Sequence, residues 1–226
     1  LQICSKSPSS AAKAAALVES LQVADAIELN VGCPQRCARK GGWGAFLMKT
    51  PDLLCEIVRA MKSVTTTIPV FVKIRVYEDC DETIRLAKRL EMAGCDLLTV
   101  HGRTIEKKRK ASQLADWTTI RKIKEAVGVP VVSNGNIRDA TDVARCLRET
   151  RCDGVMSACG LLSNPALFIE NEDAKNESCP VDGVIATKSV RIQSIRLAIE
   201  YLDFAARFSA TASQIRKHLN WILNPK

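Results

Sequence analysis

Short apolar runs rich in β-branched residues alternate along the chain with longer segments whose apolar positions recur at helical spacing. The runs that we expect to form strands are residues 1–4, 26–31, 70–76, 97–101, 129–133 and 154–158. The helical segments between them are residues 11–22, 51–64, 81–93, 118–126 and 139–149. Strand–helix alternation with nearly continuous apolar strands predicts parallel β/α units. Six units are compatible with a doubly wound sheet, or with an eight-unit barrel that lacks its first two units.

The pattern changes after Phe168. Residues 170–183 are polar and acidic and contain Pro180, so we expect a linker there. Residues 184–226 have only helical spacing, which predicts one helix of about 25 residues and a shorter one over residues 213–223. The expected organisation is a β/α domain over residues 1–169, the linker, and an all-helical domain over residues 184–226. That helical domain carries seven Lys and Arg against two acidic residues, which indicates either a solvated face or a surface for an anionic partner.

Composition and charge narrow the class of protein. Of the 226 residues, 46% are apolar, which is enough to build a core and excludes wholesale disorder. No stretch approaches ~20 uninterrupted apolar residues, so we expect no transmembrane helix. The net charge of +8 favours an anionic partner such as nucleic acid. Because Leu1 already lies in an expected strand, we expect the chain to be a fragment of a longer protein.

Ten cysteines raise the question of disulfides or a metal site. Several of them, including Cys55 and Cys95, lie within apolar runs, and no CxxC pair occurs. This usage is typical of free thiols in a reducing compartment, so we expect an intracellular protein, cytoplasmic or nuclear. No metal site is expected, because Cys33 and Cys37 have no second pair at ligand spacing and the chain has only two histidines.

Polar side chains follow the expected strands at the point where each strand ends, and packing alone does not account for such a series. In parallel β/α folds the carboxyl ends of the strands meet at one edge, where active sites form. The series therefore predicts a catalytic or binding site at that edge. Its members are Gln2, Asn30, Cys33, Lys73, Arg75, His101, Arg103, Asn134, Asn136 and the segment of residues 157–160 after the last strand.

Two short glycine-containing turns bear on the class of cofactor. The chain has neither GxGxxG after a strand nor GxxxxGK[ST], so a Rossmann or P-loop nucleotide site is not supported. The turns at residues 134–136 and 158–160 follow the last two strands, where β/α barrels often bind a phosphate through backbone N–H groups. A cofactor with one phosphate, such as FMN, suits them better than a dinucleotide. Ordinary tight turns account for the same spacing equally well.

Six motifs occur in order along residues 2–168: NVGCPQ, KGGWGAFL, KIRV, LLTVHGRT, PVVSNGNI and GVMSACGLLSNPALF. Together they resemble the tRNA-dihydrouridine synthase family, and most closely its eukaryotic branch with GCPQ followed by GAFL. The resemblance implies an FMN-dependent (β/α)8 barrel, followed by a helical domain that helps to hold tRNA. In that family NADPH reduces the flavin, which then reduces the 5,6-double bond of a uridine. The resemblance aligns residues 1–4 with the third barrel strand, so the first two units are expected to be absent here.

The resemblance also implies catalytic roles. Cys33 is the general acid that protonates C5 of uracil while hydride arrives at C6, and a thiol suits that role because it is mostly protonated at neutral pH. Lys73, turned into the barrel, stabilises the negative charge of a reduced flavin, the alternative being an ion pair at the barrel bottom. His101 lies beside the flavin or the uracil as a hydrogen-bond donor.

Further residues are expected to bind cofactor or RNA. Gln2 and Asn30 are amide partners of the isoalloxazine edge. The expected phosphate cradle is formed by Asn134, Gly135, Asn136, Ala158, Cys159 and Gly160, although many family members have Arg where this chain has Cys159. The residues expected to contact substrate or RNA are Arg75, Arg103, Lys107, Lys108, Arg109, Lys110, Arg191, Arg216 and Lys217. A merely solvated loop is the alternative for residues 107–110.

The expected function is therefore that of an FMN- and NADPH-dependent tRNA-dihydrouridine synthase, a monomer with tRNA as its partner and no membrane attachment. One alternative keeps the fold but reduces or oxidises a free pyrimidine, as dihydroorotate dehydrogenases do. Another is a non-catalytic truncated paralogue that binds RNA without flavin. The net positive charge of residues 184–226, which we call the basic tail, and the presence of both GCPQ and GAFL favour the tRNA-dihydrouridine synthase over an enzyme of free pyrimidines.

Overall fold

A computed structural model describes residues 1–106, 114–169 and 183–224, with the backbone alone for residues 183–191. The chain divides into two compact units. Unit 1 consists of Leu1–Asn136 and Ala144–Met156, and unit 2 consists of Ile137–Val143 and Ser157–Lys226. These bounds differ from the expected division into residues 1–169, 170–183 and 184–226, which stays a prediction.

Within the described residues, unit 1 contains one sheet of six parallel strands in the order in which they occur along the chain. The strands are β1 Gln2–Ile3, β2 Ile27–Val31, β3 Val70–Arg75, β4 Leu97–His101, β5 Val131–Asn134 and β6 Gly154–Met156. A doubly wound sheet reverses its strand order part-way, whereas a barrel adds each strand beside the previous one. The unbroken order therefore decides between the two architectures in favour of a β/α barrel, of which six units are present.

The strands have two faces with different roles. In β2, Ile27, Leu29 and Val31 are fully buried, whereas Glu28 and Asn30 between them are partly exposed. The same alternation continues in β3, since successive side chains of a strand point to opposite faces. The apolar face packs against the helices, and the other face carries the polar residues towards the barrel interior.

The helices occupy the segments that the apolar spacing predicts, with bounds shifted by at most a few residues. Ser7 and Asp116 accept backbone N–H bonds at the starts of α1 and α5, which satisfies donors that a helix leaves unpaired. The helices are α1 Pro8–Leu21, α2 Arg36–Gly41, α3 Pro51–Lys62, α4 Cys80–Met92, α5 Trp117–Ala126, α6 Ala140–Thr150, α7 Cys159–Ser163, α8 Gly183–Arg207 and α9 Ala212–Leu223. Three short helical pieces were not expected: α2, α7 and the 3₁₀ helix Gly44–Lys49.

Acidic side chains at the amino-terminal edge tie neighbouring strands together. Asp96, just before β4, accepts the N–H of Val70 at 2.7 Å and bonds to Lys62. Asp153, just before β6, accepts the N–H of Val131 at 2.7 Å and pairs with Lys124 at 2.7 Å. Each carboxylate thus satisfies the first N–H of the adjacent strand, and the pairing lowers the pKa of Asp153. We call these two residues the strand anchors.

Unit 2 contains α7, α8 and α9. A capping box at Thr211 and Gln214 starts α9, which packs against α8. His218 of α9 stacks on Tyr201 of α8 with ring centroids 5.1 Å apart and meets Trp221 edge-on at 5.0 Å. Within the described residues, no helix is both long enough and apolar enough to cross a bilayer.

Candidate active site

The loop after β2 is organised around Asn30. Its Oδ1 accepts the N–H groups of Gly32 and Cys33, each at 3.0 Å, and its Nδ2 donates to Gln2 Oε1 at 2.8 Å. Gln2 in turn donates to Glu28. This chain of bonds turns the backbone sharply at the carboxyl end of β2 and presents Cys33, which is partly exposed, at that edge.

The 3₁₀ helix Gly44–Lys49 lies directly against Cys33. Ala45 donates its N–H to the Cys33 carbonyl at 3.0 Å. Gly44 has φ +64°, and a Cβ at that position would lie 2.8 Å from the Cys33 carbonyl oxygen and 3.1 Å from its Cβ. Only glycine allows this approach. The motifs GCPQ and GAFL therefore contact each other and together hold Cys33 in place.

Lys73 lies on the inner face of β3, paired in register with Asn30 of β2. Its Nζ donates to Asn134 Oδ1 at 3.0 Å. Burial lowers the pKa of the Lys73 ammonium; the Glu28 carboxylate opposes that effect and the charge of Arg75 adds to it. A desolvated cation of this kind is well suited to bind an anion.

His101 ends β4 and lies beside Arg75 of β3 and Asn134 of β5 in register. Its Nδ1 is 3.2 Å from the backbone carbonyl oxygen of Asn134. Burial lowers the pKa of His101 to about 3. The positive charges of Arg75, Lys73 and Arg103 contribute to the lowering, and the Asn134 carbonyl acts against it. The imidazole is therefore neutral at physiological pH.

Two arginines link the loops around the site. Arg75 donates from Nε to the Gly32 carbonyl at 2.7 Å and from a terminal nitrogen to the Thr104 carbonyl at 2.9 Å. Arg103 donates to Asn136 Oδ1 at 2.7 Å. These guanidinium groups therefore join the loop that contains Cys33 to the loops after β4 and β5.

Side-chain hydrogen bonds, as well as the backbone conformation, hold the turn of residues 134–136 in place. Gly135 has φ +112° and Asn136 has φ +64°. Trp117 donates its indole N–H to the Gly135 carbonyl at 3.1 Å, and the Asn134 Nδ2 donates to the Met156 carbonyl at 2.8 Å. That the backbone N–H groups of this turn bind a phosphate stays a prediction.

The second expected half of the phosphate cradle belongs to unit 2. Ala158 precedes α7, Cys159 is exposed and Gly160 is buried. A Cβ on Gly160 would lie 2.6 Å from Ser157 Oγ and 2.7 Å from the Ile137 carbonyl oxygen. Local packing thus already requires glycine at residue 160, whether or not a phosphate binds there.

The expected RNA contacts are described only in part. Lys107, Lys108, Arg109 and Lys110 lie outside the described residues, as does the side chain of Arg191. Arg216 and Lys217 are exposed on α9, and Lys217 Nζ lies 5.1 Å from the centre of the Trp221 ring. A basic and aromatic surface of this kind suits a polyanion that also offers flat rings.

A model of the family described as dihydrouridine synthase (Dus) matches residues 1–226. The chain belongs to the dihydrouridine synthase family. It is 42% identical over 219 residues to a rat protein described as tRNA-dihydrouridine(16/17) synthase NAD(P)(+)-like, covering 97% of this chain and 45% of that protein. It is 39% identical over 170 residues to the tRNA-dihydrouridine(16/17) synthase of Saccharomyces cerevisiae, covering 74% and 40%. The chain thus spans less than half the length of these two relatives.

Solved structures agree with the fold of this chain. A Pseudomonas aeruginosa protein provisionally described as a dihydrodipicolinate synthetase matches with a TM-score of 0.51 at 19% identity, covering 70% of this chain and 54% of that one. The N-acetylneuraminate lyase of Mycoplasma synoviae matches with a TM-score of 0.50 at 13% identity, covering 66% and 48%. The likeness concerns the β/α-barrel fold alone.

The sequence did not single out Glu28, a charged residue on the inner face of β2. Glu28 accepts from Thr99 Oγ1 at 3.1 Å and from the Gln2 amide, and it is the acidic group that acts on Lys73. The sequence does contain a signal for it, because Glu28 interrupts an apolar strand two residues before Asn30 and so lies on the same face.

Within the described residues, no three His, Cys, Asp or Glu side chains are arranged to hold a metal ion.

The described residues of unit 1 include charged and hydrogen-bonding groups that could hold the ring of a flat cofactor. Lys73 supplies a desolvated positive charge, and the neutral His101, Arg75 and the amides at the same edge supply hydrogen-bonding groups in several directions. Flat heteroaromatic rings that alternate donors and acceptors need such a set. Lys73 and His101 are therefore the residues that would hold the ring of FMN.

Proposed function

We propose that this protein is an oxidoreductase that reduces a uridine of tRNA to dihydrouridine, with FMN as cofactor and NADPH as reductant. The observation that carries the proposal is the position of Cys33. Asn30 and Gly44 hold its partly exposed thiol at the end of β2, on the side of the sheet where Lys73 and His101 also lie. The family membership and the names of the relatives support the reaction class.

Cys33 is proposed to give a proton to C5 of the uracil. When bound, FMN would supply the hydride that C6 receives. The bonds from Gly32 and Cys33 to Asn30, and from Ala45 to Cys33, restrain the backbone of the acid, so its sulfur swings about one torsion only. Lys73 would stabilise negative charge next to the ring.

The target base must leave its stack to enter the site. Arg75 and Arg103 are proposed to contact the substrate, and residues 107–110 and the basic tail to contact phosphates. Neutralisation of phosphates is consistent with the net charge of +8. We further propose that the protein acts as a monomer in a reducing compartment, where its nine described cysteines, all free, are stable.

The Cys33→Ala variant tests the proposal. We expect it to bind FMN and to be reduced by NADPH as the parent protein is, but to reduce tRNA at least ~10²-fold more slowly, the usual scale for a positioned general acid. Flavin absorbance follows cofactor binding and reduction, and the dihydrouridine content of tRNA follows turnover. Cys37→Ala, four residues along on α2, is the matched control and should retain full activity. Turnover of tRNA by Cys33→Ala at the parental rate would remove Cys33 from the mechanism, and turnover of a free pyrimidine instead of tRNA would change the substrate.

A further inference from the structure

The hydrogen bond of His101 decides where its proton lies. A backbone carbonyl oxygen has no hydrogen to give, so the contact of 3.2 Å with the Asn134 oxygen requires the proton on Nδ1 of His101. Among the described residues none hydrogen-bonds to Nε2. Because a neutral imidazole carries a single proton, Nε2 keeps its lone pair and acts as an acceptor.

The hydrogen bond to Asn134 favours one orientation of the ring. A Cβ on Gly135 would lie 3.1 Å from both Nδ1 and Cε1 of His101, so the backbone of this turn passes close to that edge of the ring. Rotating the ring by half a turn would put a carbon opposite the Asn134 oxygen and lose the hydrogen bond. The tautomer and the orientation of the ring are therefore fixed by the same two residues.

Three cationic side chains lie near this acceptor. Arg75 lies beside His101 in register on β3, Lys73 lies one layer deeper, and Arg103 follows two residues later. Each of these side chains can only donate. Nε2 is thus an acceptor close to donor groups, and it complements the central N–H of a ligand edge that presents acceptor, donor and acceptor.

We infer that His101 accepts a hydrogen bond at Nε2 from the imide N–H of the ring ligand, and so selects a C(=O)–NH–C(=O) edge. Uracil and the isoalloxazine ring of FMN both have that edge. The identity of the ligand rests on the proposed function, whereas the tautomer does not. The inferred direction is opposite to the donor role that the family resemblance implied for His101.

The tautomer is tested directly by NMR of the purified protein labelled with ¹⁵N-histidine. The chain has only two histidines, and a His218→Asn variant assigns the other signal. We expect His101 to be protonated at Nδ1 alone, with an unprotonated Nε2, throughout neutral and mildly acidic pH. A proton on Nε2, or an imidazolium at neutral pH, would overturn the inference.

Two probes distinguish the sources of the imide. If the flavin provides it, the parent should bind FMN about tenfold more tightly than 3-methyl-FMN, the effect of one lost hydrogen bond. His101→Leu should then bind both flavins alike, and His101→Gln, which keeps an acceptor, should retain part of the preference. If uracil provides it, the parent binds both flavins alike, and tRNA should reoxidise the NADPH-reduced His101→Leu variant about tenfold more slowly, with partial rescue in His101→Gln.

A His101→Leu variant that matches the parent in flavin preference and in reoxidation by tRNA would refute the inference. The two proposals fail separately. A protein with Nδ1 protonation and a preference for FMN over 3-methyl-FMN, but without reduction of tRNA, would refute the proposed function and support the role of His101. A protein that reduces tRNA while His101 carries its proton on Nε2 would do the reverse.

Discussion

Asn134 connects three separate parts of the site. Its Oδ1 accepts from Lys73, its backbone carbonyl accepts from His101, and its Nδ2 donates to the Met156 carbonyl. The sequence identified Lys73, His101 and Asn134 as neighbours, because the carboxyl ends of parallel strands share one edge. It could not identify the bonds between them, since partners 61 and 33 residues apart leave no trace in periodicity. For the same reason, the sequence could not predict the hydrogen-bond partner of Lys73 or which ring nitrogen of His101 carries the proton.

Replacement of Gly135 by alanine tests how tightly the turn is built. The φ of +112° is unfavourable for any residue with a Cβ, and that Cβ would lie 2.8 Å from Ala115 as well as 3.1 Å from the His101 ring. We expect Gly135→Ala to lower the free energy of unfolding by about 1–3 kcal/mol, measured by urea denaturation. Gly154→Ala is the control, because its Cβ would lie 3.6 Å from Val132 at an ordinary φ, and it should change stability by less than about 1 kcal/mol. Equal effects of the two substitutions would contradict the assignment of strain to Gly135.

The elements themselves followed from the sequence wherever an apolar pattern was long enough to repeat. Strand β4 and helix α5 have almost the expected bounds. The pieces missed, α2, α7 and the 3₁₀ helix Gly44–Lys49, have five or six residues each. They are too short to show a helical period, and the 3₁₀ helix exists because Cys33 and Ala45 are hydrogen-bonded across the loop. Only the pairing of GCPQ with GAFL hinted at it.

A carboxylate on α1 links that helix to the loop before β3, and it gives stability a dependence on pH. Glu19 accepts the N–H groups of Thr66, Thr67 and Ile68 at 2.9, 2.8 and 3.2 Å. Hydrogen bonds, first that from the Thr66 hydroxyl, lower the pKa of Glu19 to about 2. An unfolded Glu has a pKa of ~4.3, so this contribution to stability is complete above that pH and is lost as the pH falls towards about 2.

We therefore expect Glu19→Gln to be less stable than the parent at neutral pH, with a difference that shrinks as the pH falls below ~4. The urea midpoint measured at several pH values checks this. Glu56→Gln, on the exposed face of α3, is the control and should follow the parent throughout. A difference between Glu19→Gln and the parent that persists unchanged in acid would show that the charge of Glu19 does not stabilise the loop.

At the scale of the whole molecule, the net positive charge is concentrated towards the end of the chain, because acidic residues are scarce there. Residues 184–226 hold seven of the 33 Lys and Arg but only two of the 25 acidic residues. The described part of this segment exposes large apolar side chains as well, including Ile199, Phe204 and Phe208. Fold class and charge asymmetry followed from composition and order alone, whereas the division into units depends on contacts that no local pattern encodes.

Neutralising Arg191, Arg216 and Lys217 together tests whether the basic tail binds RNA. If each contacts a phosphate, the slope of log K for tRNA against log of salt concentration should fall by up to about 2–3, through fewer released counterions. Reduction of bound flavin by NADPH should not change, because that step needs no RNA. Neutralising Lys107, Lys108, Arg109 and Lys110 provides the comparison. An unchanged slope in the tail variant, with a lower slope in the loop variant, would show that the tail does not bind RNA and is a solvated face.

The strand anchors have a consequence for how such a sequence can change over time. Asp96 and Asp153 act at the amino-terminal edge of the sheet, and Cys33 and His101 lie at the carboxyl edge, about five residues and ~17 Å away along the strands. Substitutions that far apart usually contribute independently to the free energy. Epistasis should therefore be weak between the two edges and strong within each of them. Descendants of this chain can exchange one anchor for another residue without a compensating change near the thiol, whereas a change at Gly44 demands one nearby.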